Sequence, residues 1–398
     1  MTDSDFILQH RNEDVRRLAL AKAPDGIDLR WCLQQIEGWQ LAQRKLPRWA
    51  ATEGLWFPPR LSLEQCSSEQ TAEYKRSIAE RLLPSEERIS MADLTGGLGV
   101  DFSYLAPLFR HATYVEILPH LVELARHNMP LLLRHEGLEI QEASTATTLL
   151  EATRLVFLDP ARRDVNGRRT YSIADCTPNF IELQDRLLAS SLWVMVKFSP
   201  MLDIQQALKQ LHCVHEIHVV SLHGECKELL FVLSAQAVPT SPTIHCVNLG
   251  ANEDTIIVKS EDTHHLLLAS HLSSLASDTT SFFLYEPNAS ILKAGIQDVL
   301  CERYDVRKLH PMSNLFVADK LIDRFPGRRF RVTGISDFSK RNLRQLIGDL
   351  RQANLTIRNF PTSVDALRRQ LHLSEGGNIY LFATTLSNGQ HALIRCEK

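Results

Sequence analysis

The chain is 398 residues long, 44% hydrophobic and 23% charged, a globular composition with enough apolar mass for two or three domains. No run approaches about 18 consecutive apolar residues, so no membrane partner is expected, and the acidic start MTDSDFILQHRNEDVRRLAL lacks the opening of an export signal. The net charge of −3 is uneven: residues 327–398 hold 12 Lys and Arg against 5 Asp and Glu, a balance of +7, which suits a polyanionic partner as well as it suits solvated helix faces.

Residues 1–88 read as a helical region. Asp28 is a candidate N-cap for a helix with apolar residues at Leu29, Cys32, Leu33, Ile36 and Leu41. Pro58 and Pro59 break the pattern, and a second helix is predicted from Ser68 to Leu83, capped by Ser67 or Ser68.

From 89 to 236 short apolar strands alternate with helices. The predicted strands are Ser90–Leu94, Ala112–Ile117, Leu138–Glu142, Leu155–Leu158 and Leu192–Phe198. Such alternation implies an α/β fold with a parallel, Rossmann-like sheet. Two strands then follow with only His-Gly-Glu-Cys between them, Glu216–Leu222 and Lys227–Leu233, and that spacing permits only an antiparallel hairpin. Five parallel strands ending in a hairpin are the pattern of a methyltransferase core that uses S-adenosyl-L-methionine, and not of a dinucleotide dehydrogenase. Residues 237–280 read as a linker or small β region, with a possible hairpin at Ile244–Val247 and Thr255–Lys259. Two small α+β pieces follow, 281–326 and 327–398, the second with a long basic helix in KRNLRQLIGDLRQAN.

The candidate site lies at the strand ends. Asp93-Leu-Thr95-Gly96-Gly97-Leu-Gly99-Val-Asp101 follows a strand and opens a helix, and its glycines let the backbone approach a ligand. Glu116, at the end of the next strand, can accept the ribose hydroxyls of an adenosine cofactor. The NAD pattern would need Gly or Ala where Phe102 stands, and Asp93 would repel a pyrophosphate but attract the amino group of a methionine moiety. The cofactor expected is therefore S-adenosyl-L-methionine, bound by Thr71, Asp93, Thr95, Gly96, Gly97, Gly99, Asp101, Glu116, Ala143 and Asp159.

Leu158-Asp159-Pro160-Ala161-Arg162-Arg163 ends the fourth strand, and Lys197-Phe-Ser-Pro-Met-Leu-Asp203 ends the fifth. Both should face the crevice beyond the carboxyl ends of the strands. Asp159 and the Pro160 carbonyl could orient an acceptor, Arg162 and Arg163 could clamp a phosphate, and Lys197 could pair with Asp159 or touch substrate. Lys75 on the second helix could also reach the pocket. No metal is expected, since His212, His215, His218 and His223 alternate poorly for a shared ion. Cys176 could be a nucleophile, but without a partnered base a plain thiol fits it better. With eight cysteines and no C-x-x-C pair, reduced thiols and a cytoplasmic location are expected.

The chain resembles, nearly end to end, a bacterial family of class I methyltransferases that end in a ferredoxin-like piece and a THUMP-like domain. The resemblance rests on the segment from Gln65 to Lys75, DLTGGLGVD, Tyr114-Val-Glu116, LDPARR, KFSPMLD and Glu225-Cys-Lys-Glu-Leu229. It continues through Tyr285-Glu-Pro-Asn-Ala-Ser290, RNFPTSVDALRR and LSEGGNIYLFAT. It implies S-adenosyl-L-methionine as cofactor, RNA as substrate, and a THUMP-like module over 327–398 whose Arg328, Arg329, Lys340, Arg341 and Arg344 would hold that RNA. A base in tRNA or rRNA is the expected acceptor. Amine-methylating nucleic-acid enzymes resemble one another in an Asp/Asn-Pro-Pro-aromatic loop, however, and here the loop is Asp159-Pro160-Ala161-Arg162, without the ring, although an arginine plane can stack on a base too. A small-molecule or protein acceptor, or a non-catalytic RNA-binding role, fits the same core.

Overall fold

The computed structural model describes residues 1–21, 24–148, 150, 152–161, 172–250, 254–259, 267–269 and 282–398. It divides into two units, one of residues 1–222 with 227–243, the other of 223–226 with 244–398. No helix among the described residues is long and apolar enough to cross a membrane.

The first unit opens with helices. Asp28 accepts a hydrogen bond from the Trp31 amide and caps the helix Leu29–Lys45. Cys32 and Ile36 of that helix pack with Phe6 and Leu18 in a small core. Ser68 caps the helix Glu69–Leu82, in a box closed by Thr71.

The sheet of this unit contains β1 (Ser90–Asp93), β2 (His111–Glu116), β3 (Leu138–Glu142), β4 (Thr153–Leu158), β5 (Ser191–Phe198), β6 (Val214–Leu222) and β7 (Glu225–Leu233). Their order is β3-β2-β1-β4-β5-β7-β6. The pairs β1–β2, β1–β4, β2–β3 and β4–β5 are parallel, and β7 runs antiparallel to β5. His223 and Gly224 both have positive φ, 52° and 80°, which suits the tight turn between β6 and β7. Buried runs such as Leu155-Val-Phe-Leu158 and Val194-Met-Val196 make the sheet core. Strand order reverses between β1 and β4, so a crevice opens beyond their carboxyl ends.

The second unit contains β8 (Thr243–Leu249) and β9 (Asp254–Lys259), which are neighbours, and a seven-stranded sheet. The seven are β10 (Phe283–Pro287), β11 (Arg307–Lys308), β12 (Phe316–Ala318), β13 (Gly327–Ser336), β14 (Asn354–Arg358), β15 (Ile379–Thr385) and β16 (His391–Glu397), in the order β11-β12-β10-β13-β16-β15-β14. β10 pairs with β13 from Phe283↔Arg331 to Pro287↔Gly327, so one sheet runs through both small α+β pieces. Alternate residues feed two cores: Phe330, Phe382 and Ile394 on one face, Leu381, Ala383 and Leu393 on the other. The helices Lys340–Ile347 and Val364–Leu371 place Leu343, Leu367 and Leu371 in the second core. The basic helix is shorter than its charge pattern predicts. It stops at Gly348, whose φ of 55° breaks the spiral while its amide still reaches the Arg344 carbonyl.

Candidate functional site

β1 delivers Asp93 to the crevice and the chain turns at once through the glycines. A Cβ on Gly96 would lie 2.1 Å from the Tyr114 ring, and Gly99 has a φ of 78°. The turn is held by Gly96 N donating to Val115 O at 2.9 Å and by the Tyr114 hydroxyl donating to Gly97 O at 2.6 Å. Glu116 Oε2 accepts from Gly97 N at 2.9 Å, and Oε1 accepts from Ile117 N and Leu118 N at 2.8 and 2.9 Å. A carboxylate accepts about four bonds, so roughly one position on Glu116 is left for a ligand.

Asp93 is 1% exposed, and its Oδ1 accepts from Thr95 N at 3.0 Å. No cation pairs with it among the described residues. Burial therefore pushes its carboxyl well above the ordinary range, aided by Asp101, Asp159 and Glu116 and opposed only by the Thr95 amide. The Thr95 hydroxyl accepts from Asp159 N at 2.6 Å and ties the turn after β4 to the glycine turn.

Asp159 Oδ2 meets Lys197 Nζ at 2.5 Å. β4 and β5 are parallel with Leu158 opposite Val196, so Asp159 and Lys197 emerge side by side. Beneath them Lys75 is fully buried, its ammonium 3.0 Å from Asp101 Oδ1, 2.8 Å from Glu228 Oε1 and 3.2 Å from Ser67 Oγ. Ser67 in turn donates to Asp101 Oδ2 at 2.7 Å. Burial alone would raise the Asp101 carboxyl, yet Lys75, Lys197 and Ser67 hold it below the ordinary range. Burial raises Glu228 despite the same two lysines. Burial would lower Lys197, but Asp159, Asp101 and Glu228 hold it above the usual lysine range.

The other expected site residues fall in several places. Thr71 is buried, and its hydroxyl donates to Ser68 O at 3.0 Å within the helix cap. Asp101 is taken up by Lys75 and Ser67. Ala143 follows β3 and donates its amide to Glu116 O at 3.0 Å. Pro160 is buried in the turn after Asp159. Arg162 and Arg163 lie outside the described residues. Of the histidines, His212 bonds with Asp185, His215 with the Ser234 carbonyl, and His218 with Tyr74 and Glu216. Cys176 is buried and donates to Ser172 O.

In the second unit the basic residues divide. Arg328 pairs with buried Glu286, which Arg358 also holds, and Arg329 donates to the Asp323 carbonyl. Lys340, Arg341 and Arg344 stand exposed on one helix, and none has a carboxylate partner among the described residues.

Glu228, Ser67 and the ionic role of Lys75 escape sequence reasoning. Glu228 sits near the start of an antiparallel strand, and only the register Lys197↔Leu230 brings it beneath Lys197. Ile117 directly follows Glu116 at the carboxyl end of β2 and is 63% exposed.

Residues 283–326 match a family described as a ferredoxin-like domain, and residues 327–398 match one described as THUMP domain-like. A solved structure from Porphyromonas gingivalis W83, described as a candidate methyltransferase, is 33% identical, with a TM-score of 0.82 over 100% of this chain and 97% of that one. An RNA methyltransferase from Salinibacter ruber, solved with S-adenosyl-L-homocysteine, is 15% identical, with a TM-score of 0.30 over 42% of this chain and 94% of that one. A candidate RNA methyltransferase from Pyrococcus horikoshii is 13% identical, with a TM-score of 0.35 over 48% of this chain and 97% of that one. No curated protein matches.

Proposed function

Because the chain belongs to the bacterial family of class I methyltransferases that end in a ferredoxin-like and a THUMP-like domain, we propose that it uses S-adenosyl-L-methionine to methylate RNA. The observation that carries the reading is Asp93, a carboxylate 1% exposed at the mouth of a glycine turn with no cation beside it among the described residues. Such a group is costly to hold unless a ligand completes it. The amino group of the donor supplies the missing positive charge.

The neighbouring residues fit the rest of that molecule. Glu116 retains room for a ribose hydroxyl, and Ile117 offers an apolar wall for the adenine. Glycines 96, 97 and 99 let the backbone close around it. When bound, the donor supplies a methyl group already activated on a positively charged sulfur. The protein's tasks are alignment and exclusion of water, done by Asp159 and Lys197 at the strand ends.

RNA as acceptor is supported by the exposed cations Lys340, Arg341 and Arg344 on the THUMP-like part, which have no competing carboxylate among the described residues. They suit phosphate contacts that hold a strand without reading its sequence. Arg328 and Arg329, being occupied, would contribute less.

Calorimetry with S-adenosyl-L-methionine tests the donor, and methylation of RNA from a strain lacking the gene tests the acceptor. Saturable donor binding and methyl transfer to RNA are expected. No heat of binding would sink the donor assignment. Binding without transfer to any RNA would sink the acceptor assignment.

A further inference from the structure

On the reading that this chain methylates RNA, we infer that the accepting atom is a hydroxyl oxygen, the ribose 2′-hydroxyl, and that Lys197 and Asp159 act on it while Lys75 and Glu228 hold them in place.

An exocyclic base amine needs free hydrogen-bond acceptors to aim its lone pair at the methyl group, and a flat surface against which the flipped base can stack. Among the described residues this turn offers neither in full: one oxygen of Asp159 is held by Lys197 at 2.5 Å, and the turn continues into the small side chain of Ala161, which carries no ring.

A hydroxyl makes different demands. It is a weak nucleophile while protonated, so it needs a cation beside the oxygen as negative charge develops and a base for its proton. The ammonium of Lys197 and the carboxylate of Asp159 stand together at the crevice and meet both needs.

The buried groups explain why that pair stays together. Lys197 lies in the field of three carboxylates, Asp159, Asp101 and Glu228. Lys75 satisfies two of them, at 3.0 Å from Asp101 and 2.8 Å from Glu228. Lys197 is thereby left to Asp159, with further N–H groups free to donate to an acceptor oxygen. Because those carboxylates keep Lys197 charged, it serves as a donor to the oxygen and not as the base.

In the transfer the ribose oxygen forms the new O–C bond, the S–C electron pair returns to sulfur, and the hydroxyl proton departs. Asp159 takes that proton and, with its side chain 41% exposed, passes it to water. Lys197 donates to the oxygen throughout. Lys75 and Glu228 are positioning residues and touch no substrate. The 2′-hydroxyl is also the group that separates RNA from DNA, so this chemistry would confine the enzyme to RNA.

The test uses the full-length protein. RNA from a strain lacking the gene is incubated with S-adenosyl-L-methionine carrying a deuterated methyl, digested to nucleosides and fragmented by mass spectrometry. Label on the ribose fragment is expected. Label on the base fragment overturns the inference and leaves RNA methylation standing, whereas no label in any RNA overturns both.

Lys197→Met should lower kcat by about 10²-fold or more with donor affinity by calorimetry changed by less than about threefold. Lys75→Met should lower kcat with little change in KM, because Lys197 then turns to Asp101 and Glu228, and Lys75→Arg should recover most of it. If Lys75→Met does not fold, the charge-balanced Lys75→Gln/Glu228→Gln protein leaves Asp101 as a competitor and should show the same loss. Full activity in that variant overturns the positioning role. Independently of turnover, nitrogen-15 spectra of the free protein should show Lys197 still protonated above the ordinary lysine value of about 10.4. Titration near neutrality would overturn its assignment as charged donor.

Discussion

The carboxyl edge of the first unit's sheet and the outer face of the helix Lys340–Ile347 both concentrate charge, but they handle it in opposite ways. At the sheet edge Lys75, Asp101 and Glu228 are buried and matched to one another at hydrogen-bond distance. On the helix Lys340, Arg341 and Arg344 are exposed and unmatched among the described residues. Buried charges are costly to desolvate, so their positions are fixed and small changes have large effects. Exposed charges are screened by salt, so they act together and each one matters little.

Substitutions can break this contrast, and the buried set should yield the largest response. Lys75→Met leaves Asp101 and Glu228 without their shared cation, and chemical denaturation should show a loss of about 3–5 kcal/mol. A loss below about 1 kcal/mol would mean that the cluster relaxes or takes in water.

Asp93→Asn comes next. It removes the ion pair expected with the donor ammonium, worth about 1.5–3 kcal/mol, so calorimetry should show affinity falling by roughly 10- to 100-fold. The wild-type affinity should also depend on pH. Burial holds Asp93 protonated to higher pH than an ordinary carboxyl, and the donor favours the ionised form. Affinity should therefore be constant above the raised value and fall as pH drops through it, while Asp93→Asn gives a flat profile. The stability of the free protein has the opposite sense. The folded state favours the neutral acid, so Asp93 costs stability increasingly as pH climbs from the ordinary value of about 3.9 through the raised one. Asp93→Asn should raise the Tm of the free protein at neutral pH.

Replacing Lys340, Arg341 and Arg344 together by Ala should leave donor binding unchanged. RNA binding should lose about 2 units of slope in a plot of log affinity against log salt, at about 0.7 per phosphate contact. An unchanged slope would place the RNA elsewhere. The smallest effect is expected from Arg329→Ala, below about 0.5 kcal/mol in both stability and RNA binding, because this exposed guanidinium is already engaged by the Asp323 carbonyl.

Legibility from sequence follows the same contrast. Asp93, Glu116, Asp159 and Lys197 could be read because each closes an apolar strand, and strand ends in a parallel sheet share one edge. The glycine turn was readable for its local spacing. The partnership of Lys75 with Glu228 was not, because it joins residues 153 positions apart through an antiparallel register. Likewise Arg328 and Arg329 look like their basic neighbours in sequence, and only strand pairing sets Arg328 beside Glu286. The shortened basic helix turned on one glycine, where the conformation adopted depends on what the chain must pack next.

The continuous pairing of β10 with β13 has a consequence for how the C-terminal part can be divided. Severing the chain between 326 and 327 would strip five rungs from one ladder and leave two raw strand edges. It would also part Phe282 and Leu284 from Phe330 and Phe382, which share one apolar core. Each fragment would then present a sticky margin to copies of itself. The two segments are better regarded as a single cooperative body that unfolds as one.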